Sequence, residues 1–245
     1  MIMGTKPQDG TTRGNPFPRG TGGSNSFRIP ALVTLSDGAL VAAADARWNT
    51  TYDGGGLDTV VSRSEDEGDV WHYHFANYLG DNGNVYNGAE STCIIDPALA
   101  VTADDAIYML VDLYPYGVAL NGSGNTIPSS AAGFNEEGKL LLSGDDHKTY
   151  GFYLDGSVIR RGDGSVVQEY CVDDHFFLLR NGQPVSNLFF ADSPYKVNRT
   201  GYLYLTQSAD GGKTWSAPML LNVKREEELA CLAAPGRGLV TRKGS

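Results

Sequence analysis

Short runs rich in Val, Leu, Tyr and Phe alternate with turn residues along most of the chain, and their spacing is that of β-strands. The apolar runs at 27–35 and 39–47 flank Ser36-Asp37-Gly38, a tight Asp-Gly turn that predicts a hairpin. The segment 57–66 reads as a third strand and 71–79, opened by Trp71, as a fourth. Four antiparallel strands within about 50 residues, closed by a Trp that locks the last turn, make a unit the size of one propeller blade. The pattern then restarts: 93–101 and 106–116 flank Thr102-Ala103-Asp104-Asp105 as the inner strands of a second unit. From 121 to 187 the pattern changes to short strands between repeated Asp-Gly and Asn-Gly turns, which predicts an inserted β-rich subdomain. The run 187–192 returns to the apolar pattern of the first units and reads as a strand, 202–215 repeats the strand-turn-Trp ending, and 229–242 opens another pair of strands. Around Arg225 lies the one short helix candidate.

Composition agrees with an all-β protein. Glycine is abundant, at 31 of 245 residues, and recurs between the apolar runs, while the apolar (41%) and charged (20%) fractions are those of a folded globular chain. Residues 1–25 form a lead-in rich in Gly, Pro, Thr and Asn with no periodic apolar face. The division expected is therefore 1–25, 26–120, 121–187 and 188–245. A net charge of -10 argues against nucleic acid or an acidic membrane surface as partner, and leaves room for a small anion held by a few placed arginines. No apolar stretch reaches the ~20 residues needed to cross a bilayer, and no signal peptide is visible at the N-terminus. Cys93, Cys171 and Cys231 lack metal-ligand or disulfide-scaffold spacing and read as free thiols. His72, His74, His147 and His175 form no ligand cluster, so neither metal nor cofactor is expected.

Two segments share one pattern: Ser64-x-Asp66-x-Gly68-x-x-Trp71 and Ser208-x-Asp210-x-Gly212-x-x-Trp215. The Ser and Asp side chains can bond the backbone of the turn, Gly supplies a positive φ, and Trp packs under the hairpin. This pattern resembles the Asp-box of sialidases, and Phe27-Arg28-Ile29-Pro30 resembles the motif that precedes the first Asp-box in that family. The resemblance covers the chain from about Ser26 onward, and the 121–187 segment is similar to the extra domain of large secreted bacterial sialidases. It implies a six-bladed β-propeller, of which two to three blades are present here, and an exo-α-sialidase that hydrolyses terminal sialic acid from glycoproteins or glycolipids with retention. An extracellular or cell-surface location goes with that family.

A sugar with a carboxylate on its anomeric carbon calls for preorganised cationic donors, and the planar fork of arginine fits best. By the resemblance Arg28 is the first arginine of the carboxylate-binding triad, and Arg47 a further arginine near the C4 hydroxyl. Asp53, in the glycine-rich loop 49–58, takes the place of the general acid/base, and its glycines allow the loop to move over a ligand. Asp58 is its rival on the same loop, placed at a strand start. Asp96 matches the aspartate near the C4 hydroxyl and the N-acyl group. Tyr114 and Tyr116 are candidates for lining the pocket. The family's tyrosine nucleophile, its glutamate and two more arginines fall in later blades, so the expectation is of a truncated, inactive fragment. The competing readings are a non-catalytic carbohydrate-binding Asp-box propeller, a trans-sialidase acting on the same substrates, and a truncated gene product without function.

Overall fold

The apolar alternation near the N-terminus folds as a single antiparallel meander in the computed structural model, which describes residues 6–48, 51–79, 92–120, 126–144, 150–225 and 227–241. Strands β1 (Gly10–Arg13), β2 (Ser26–Thr34), β3 (Leu40–Arg47), β4 (Leu57–Ser64) and β5 (Val70–Asn77) lie in the order β2-β3-β4-β5-β1. The last four are the strands that the pattern predicts. β1 comes from the lead-in, where no strand is expected: Thr11 pairs with His72 and Thr12 with Trp71 along the outer edge of β5. An open edge presents unpaired N–H and C=O groups to any extended segment, whatever its side chains.

β6 (Cys93–Val101) and β7 (Ile107–Tyr114) form the second hairpin. The chain then leaves the sheet and builds β8 (Leu141–Gly144), β9 (Tyr150–Leu154), β10 (Ser157–Arg160), β11 (Tyr170–Val172), β12 (Phe177–Arg180), β13 (Gln183–Asn187) and β14 (Tyr195–Val197). These make two small sheets, β10-β9-β8-β14 and β11-β12-β13. The chain re-enters beside β7 as β15 (Tyr202–Ser208), followed by β16 (Met219–Leu221), which completes a second four-stranded unit, β6-β7-β15-β16. β17 (Gly236–Arg237) runs parallel to β6, with Gly236 opposite Ala98. Within the excursion between β7 and β15, β14 pairs with β8, Tyr195 opposite Gly144.

Two expected elements are absent among the described residues. Beyond Asn187, the last residue of β13, the run 188–192 is a turn: Asn187 accepts the Phe189 N–H at its Oδ1 (3.1 Å) and donates from Nδ2 to the His175 carbonyl (2.9 Å), so its side chain closes the turn where the ladder with β12 ends. Among the described residues near Arg225 there is no helix; Glu228 folds back on the Arg225 N–H (2.9 Å) and Lys224 donates to the Glu228 carbonyl (2.7 Å). Thr21–Gly23 is the sole helical turn among the described residues, and none of their helices is long and apolar enough to cross a membrane.

Val41, Ala43 and Val61 of the first unit pack with Ile94, Leu99, Ile107 and Met109 of the second, and Tyr202 and Tyr204 carry the same apolar cluster to Leu188 and Phe189 of the excursion. The two repeated turns are built alike. Ser64 Oγ donates to Asp66 Oδ1 (2.7 Å) and accepts the Gly68 N–H (2.9 Å); Ser208 Oγ donates to Asp210 Oδ1 (2.8 Å) and accepts the Gly212 N–H (2.8 Å). Gly212, at φ 88°, also sits where a Cβ would lie 3.0 Å from Val41, so that turn seats the second unit on the first.

Candidate active site

The two turns mark one end of each unit; the candidate residues gather at the other. Arg28 lies directly opposite Asp45 across the β2–β3 ladder, and Arg47 follows Asp45 by two positions, so all three share one face of the sheet. The ladder breaks just beyond Arg28: the register shifts between Arg28 and Ala31, Ile29 takes φ 55°, and Pro30 has no N–H to donate. The same irregularity recurs in β6, where the register shifts between Ile95 and Ala98, Asp96 takes φ 63°, and Pro97 follows. Non-glycine residues in the left-handed region are strained, and both sit at this end of the sheet.

The loop after β3 folds back over the two arginines. Asp53 Oδ1 accepts from Arg47 Nη1 at 2.7 Å and from Arg28 Nη1 at 3.2 Å, and the Thr51 carbonyl accepts from the same two nitrogens at 3.0 and 3.1 Å. Arg28 is 46% exposed and Asp53 38%, whereas Arg47 and Asp45 are wholly buried and joined at 2.8 Å, Nη2 to Oδ2. The second oxygen of Asp45 accepts the Asp96 N–H at 2.9 Å. Asp58 is engaged elsewhere, taking the Trp48 indole N–H (2.8 Å) and the Leu79 N–H (3.0 Å). One guanidinium thus faces solvent beside a loop carboxylate, and the other is held from beneath.

Burial pushes Asp45 up, to about 7, against the pull of Arg47. For Arg47 burial opposes the charge, but Asp45 and Asp53 outweigh it and hold the guanidinium above its usual range. Asp96 is raised first by burial and then by the charge of Asp53, with Arg47 and Arg28 opposing. Beneath it lies Asp112, raised by burial to about 7; its Oδ1 accepts the Ala233 N–H (2.7 Å), while Oδ2 has no partner among the described residues. Tyr114 is also buried there, its phenol raised by burial and without a bond among the described residues, so it does not line an open pocket. Cys93 is a buried free thiol pushed well up by burial. No cluster of metal-ligating side chains occurs among the described residues; His147 lies outside them.

A carboxyl whose folded pKa exceeds its unfolded value binds an extra proton in the folded state between the two, so stability falls as pH rises through that window. For Asp112 the window runs from the ordinary carboxylate value of 3.8 to about 7. Asp112→Asn keeps an acceptor for Ala233 and cannot ionise. It is expected to stabilise the protein by on the order of a few kcal/mol at about pH 8 and to change stability little at about pH 4. Urea unfolding at the two pH values checks this, and an equal effect at both would contradict it.

Sequence reasoning did not single out Asp45 or the role of Asp112. The signal was present, since each is a lone carboxylate in an apolar strand, at 39–47 and at 106–114.

The geometry can be set beside known proteins. No family model matches the chain. Anhydrosialidase of Macrobdella decora is 28% identical over 88% of this chain and 34% of its own length. Sialidase B of Streptococcus pneumoniae is 27% identical over 91% of this chain and 38% of its own length. The chain is a sialidase homologue. Among solved structures, the intramolecular trans-sialidase from Ruminococcus gnavus in complex with oseltamivir carboxylate superposes on this sialidase homologue with a TM-score of 0.75 at 29% identity, over 89% of this chain and 53% of that one. The chain spans little more than a third of the length of the two curated relatives, 34% and 38%.

Proposed function

We propose that this chain supplies the first part of a sialidase active site, in which Arg28 binds the carboxylate of a terminal sialic acid, Arg47 and Asp96 contact the ring substituents around C4, and Asp53 exchanges the proton with the glycosidic oxygen. The observation that carries this reading is the convergence of Arg28, Arg47 and Asp53, where one carboxylate oxygen lies 3.2 and 2.7 Å from two guanidinium groups. Among the described residues Arg28 bonds through Nη1 alone, which leaves Nη2 and Nε for an incoming carboxylate. That carboxylate competes with Asp53 for Arg28 and frees the loop acid to turn toward the leaving oxygen.

The supporting frame is a six-bladed propeller, with the two four-stranded units as its first blades and the segment 121–187 as an insertion. The substrates are sialylated glycans of glycoproteins or glycolipids, met outside the cell. The nucleophile is not among the residues assigned here; in a retaining reaction it attacks the anomeric carbon while Asp53 protonates the departing alcohol, and Asp53 then takes the proton from the attacking water.

N-Acetylneuraminic acid titrated into the protein and followed by NMR should give saturable shifts at Arg28, Arg47 and Asp96, and Arg28→Ala should weaken binding by about tenfold or more. Absence of both saturable binding and sialoside turnover would sink the reading. Binding without turnover in a protein that holds all of its blades would favour a lectin. Similarity to the leech anhydrosialidase and the Ruminococcus gnavus intramolecular trans-sialidase favours a second outcome, transfer within the sugar in place of hydrolysis, which NMR of the product distinguishes.

A further inference from the structure

We propose that Asp45 is a positioning residue that ties the two units together at the site: one oxygen of its buried carboxylate holds the Arg47 guanidinium and the other holds the backbone of the Asp96 bulge, and Asp112 repeats the second bond toward Ala233. The proposal rests on the sialic-acid reading only for what Arg47 and Asp96 bind; the coupling itself belongs to the fold.

Three observations converge. First, the units repeat in sequence and register: Pro30-Ala31-Leu32 recurs as Pro97-Ala98-Leu99, and each proline is followed fifteen positions later by the lone strand aspartate, Asp45 or Asp112. Each aspartate lies opposite the last residue before its own bulge, Arg28 opposite Asp45 and Ile95 opposite Asp112. Second, each reaches out of its own unit. Asp45 accepts the Asp96 N–H of the second unit at 2.9 Å, and Asp112 accepts the Ala233 N–H at 2.7 Å, two residues before Pro235 and next to β17. Third, these are N–H groups that need a partner. Asp96 sits inside the register break between Ile95 and Ala98, outside the ladder, and is half-buried, so loss of its acceptor would orphan a backbone donor. Asp45 alone also grips Arg47, at 2.8 Å with neither side chain exposed. A displacement of one unit against the other is therefore passed by a single carboxylate to both Arg47 and Asp96.

The two bonds can be separated. Asp45→Asn keeps an acceptor for the Asp96 N–H but turns a donor toward Arg47, whereas Asp45→Ala removes both contacts. Amide exchange at Asp96 is expected to stay slow in Asp45→Asn and to accelerate on the order of tenfold or more in Asp45→Ala, while the Arg47 guanidinium protons exchange faster in both. Unchanged exchange at Asp96 in Asp45→Ala would overturn the proposal. Should that variant not fold, the unsubstituted chain decides: a through-hydrogen-bond scalar coupling between the Asp96 amide nitrogen and the Asp45 carboxyl carbon is expected, and its absence with both signals assigned overturns it equally. In the ligand arm, Asp45→Asn should weaken N-acetylneuraminic acid about tenfold, through Arg47. An unsubstituted protein that does not bind that sugar removes the sialic-acid reading and leaves the exchange result to decide the coupling.

Discussion

Asp53→Asn is expected, on the proposed sialidase reading, to lower turnover of a sialoside with an alkyl-alcohol leaving group by about 10²–10⁴-fold, the range that general acid–base catalysis contributes. The loss should depend on the leaving group. A phenolic or coumarin sialoside departs with little need of a proton, so its cleavage should fall much less. A merely structural role for Asp53 would depress both substrates alike, and kcat measured on the two separates the cases. The geometry supports such a role because Asp53 rides on the loop that covers the arginines, is partly exposed, and is held by Arg28 and Arg47 through contacts that a substrate carboxylate can replace. Asp58, taken up by Trp48 and Leu79, should give a stability phenotype without that dependence.

The second large effect is on stability. Arg47→Met removes the cation paired with Asp45 while filling much of the same volume, and is expected to cost about 3–5 kcal/mol at about pH 9, because the buried carboxyl must then stay charged without its partner or bind a proton against the bulk pH. The pH dependence follows from the sign of the Asp45 shift. Its folded pKa, already raised to about 7 by burial, rises further once Arg47 is gone, so the deficit is greatest above that value and shrinks as pH falls and the carboxyl takes up a proton. Adding Asp45→Asn to Arg47→Met should recover a large part of the loss at about pH 9 and little of it at about pH 5. Chemical denaturation of the single and double variants across pH measures this cycle, and a deficit independent of pH would refute it.

Much of the fold was legible because strands of the two units are set by local chemistry. Alternating apolar runs, tight Asp-Gly turns and the Ser-Asp-Gly-Trp turns each act within about ten residues, and those signals predict β2 to β7 and β15. β1 was not legible, because an edge strand is recruited by backbone groups and needs no apolar face of its own. Nor was the turn at 188–192, where the side chain of Asn187, the last residue of β13, takes the Phe189 N–H and ends a run that otherwise reads as strand.

At the site the division is similar. The sequence by itself determined which charged groups are present, that Arg28 precedes a proline-containing break, and that Asp53 lies on a glycine-rich loop, since each of these is a property of neighbouring residues. Only the tertiary structure decided that Arg28, Arg47 and Asp53 meet, that Asp58 does not join them, and that Asp45 and Asp112 bond the segments at Asp96 and Ala233. Those bonds span 51 and 121 residues. Hydrogen bonds act over about 3 Å, so their partners are set by how the strands stack in space, and no local spacing encodes that.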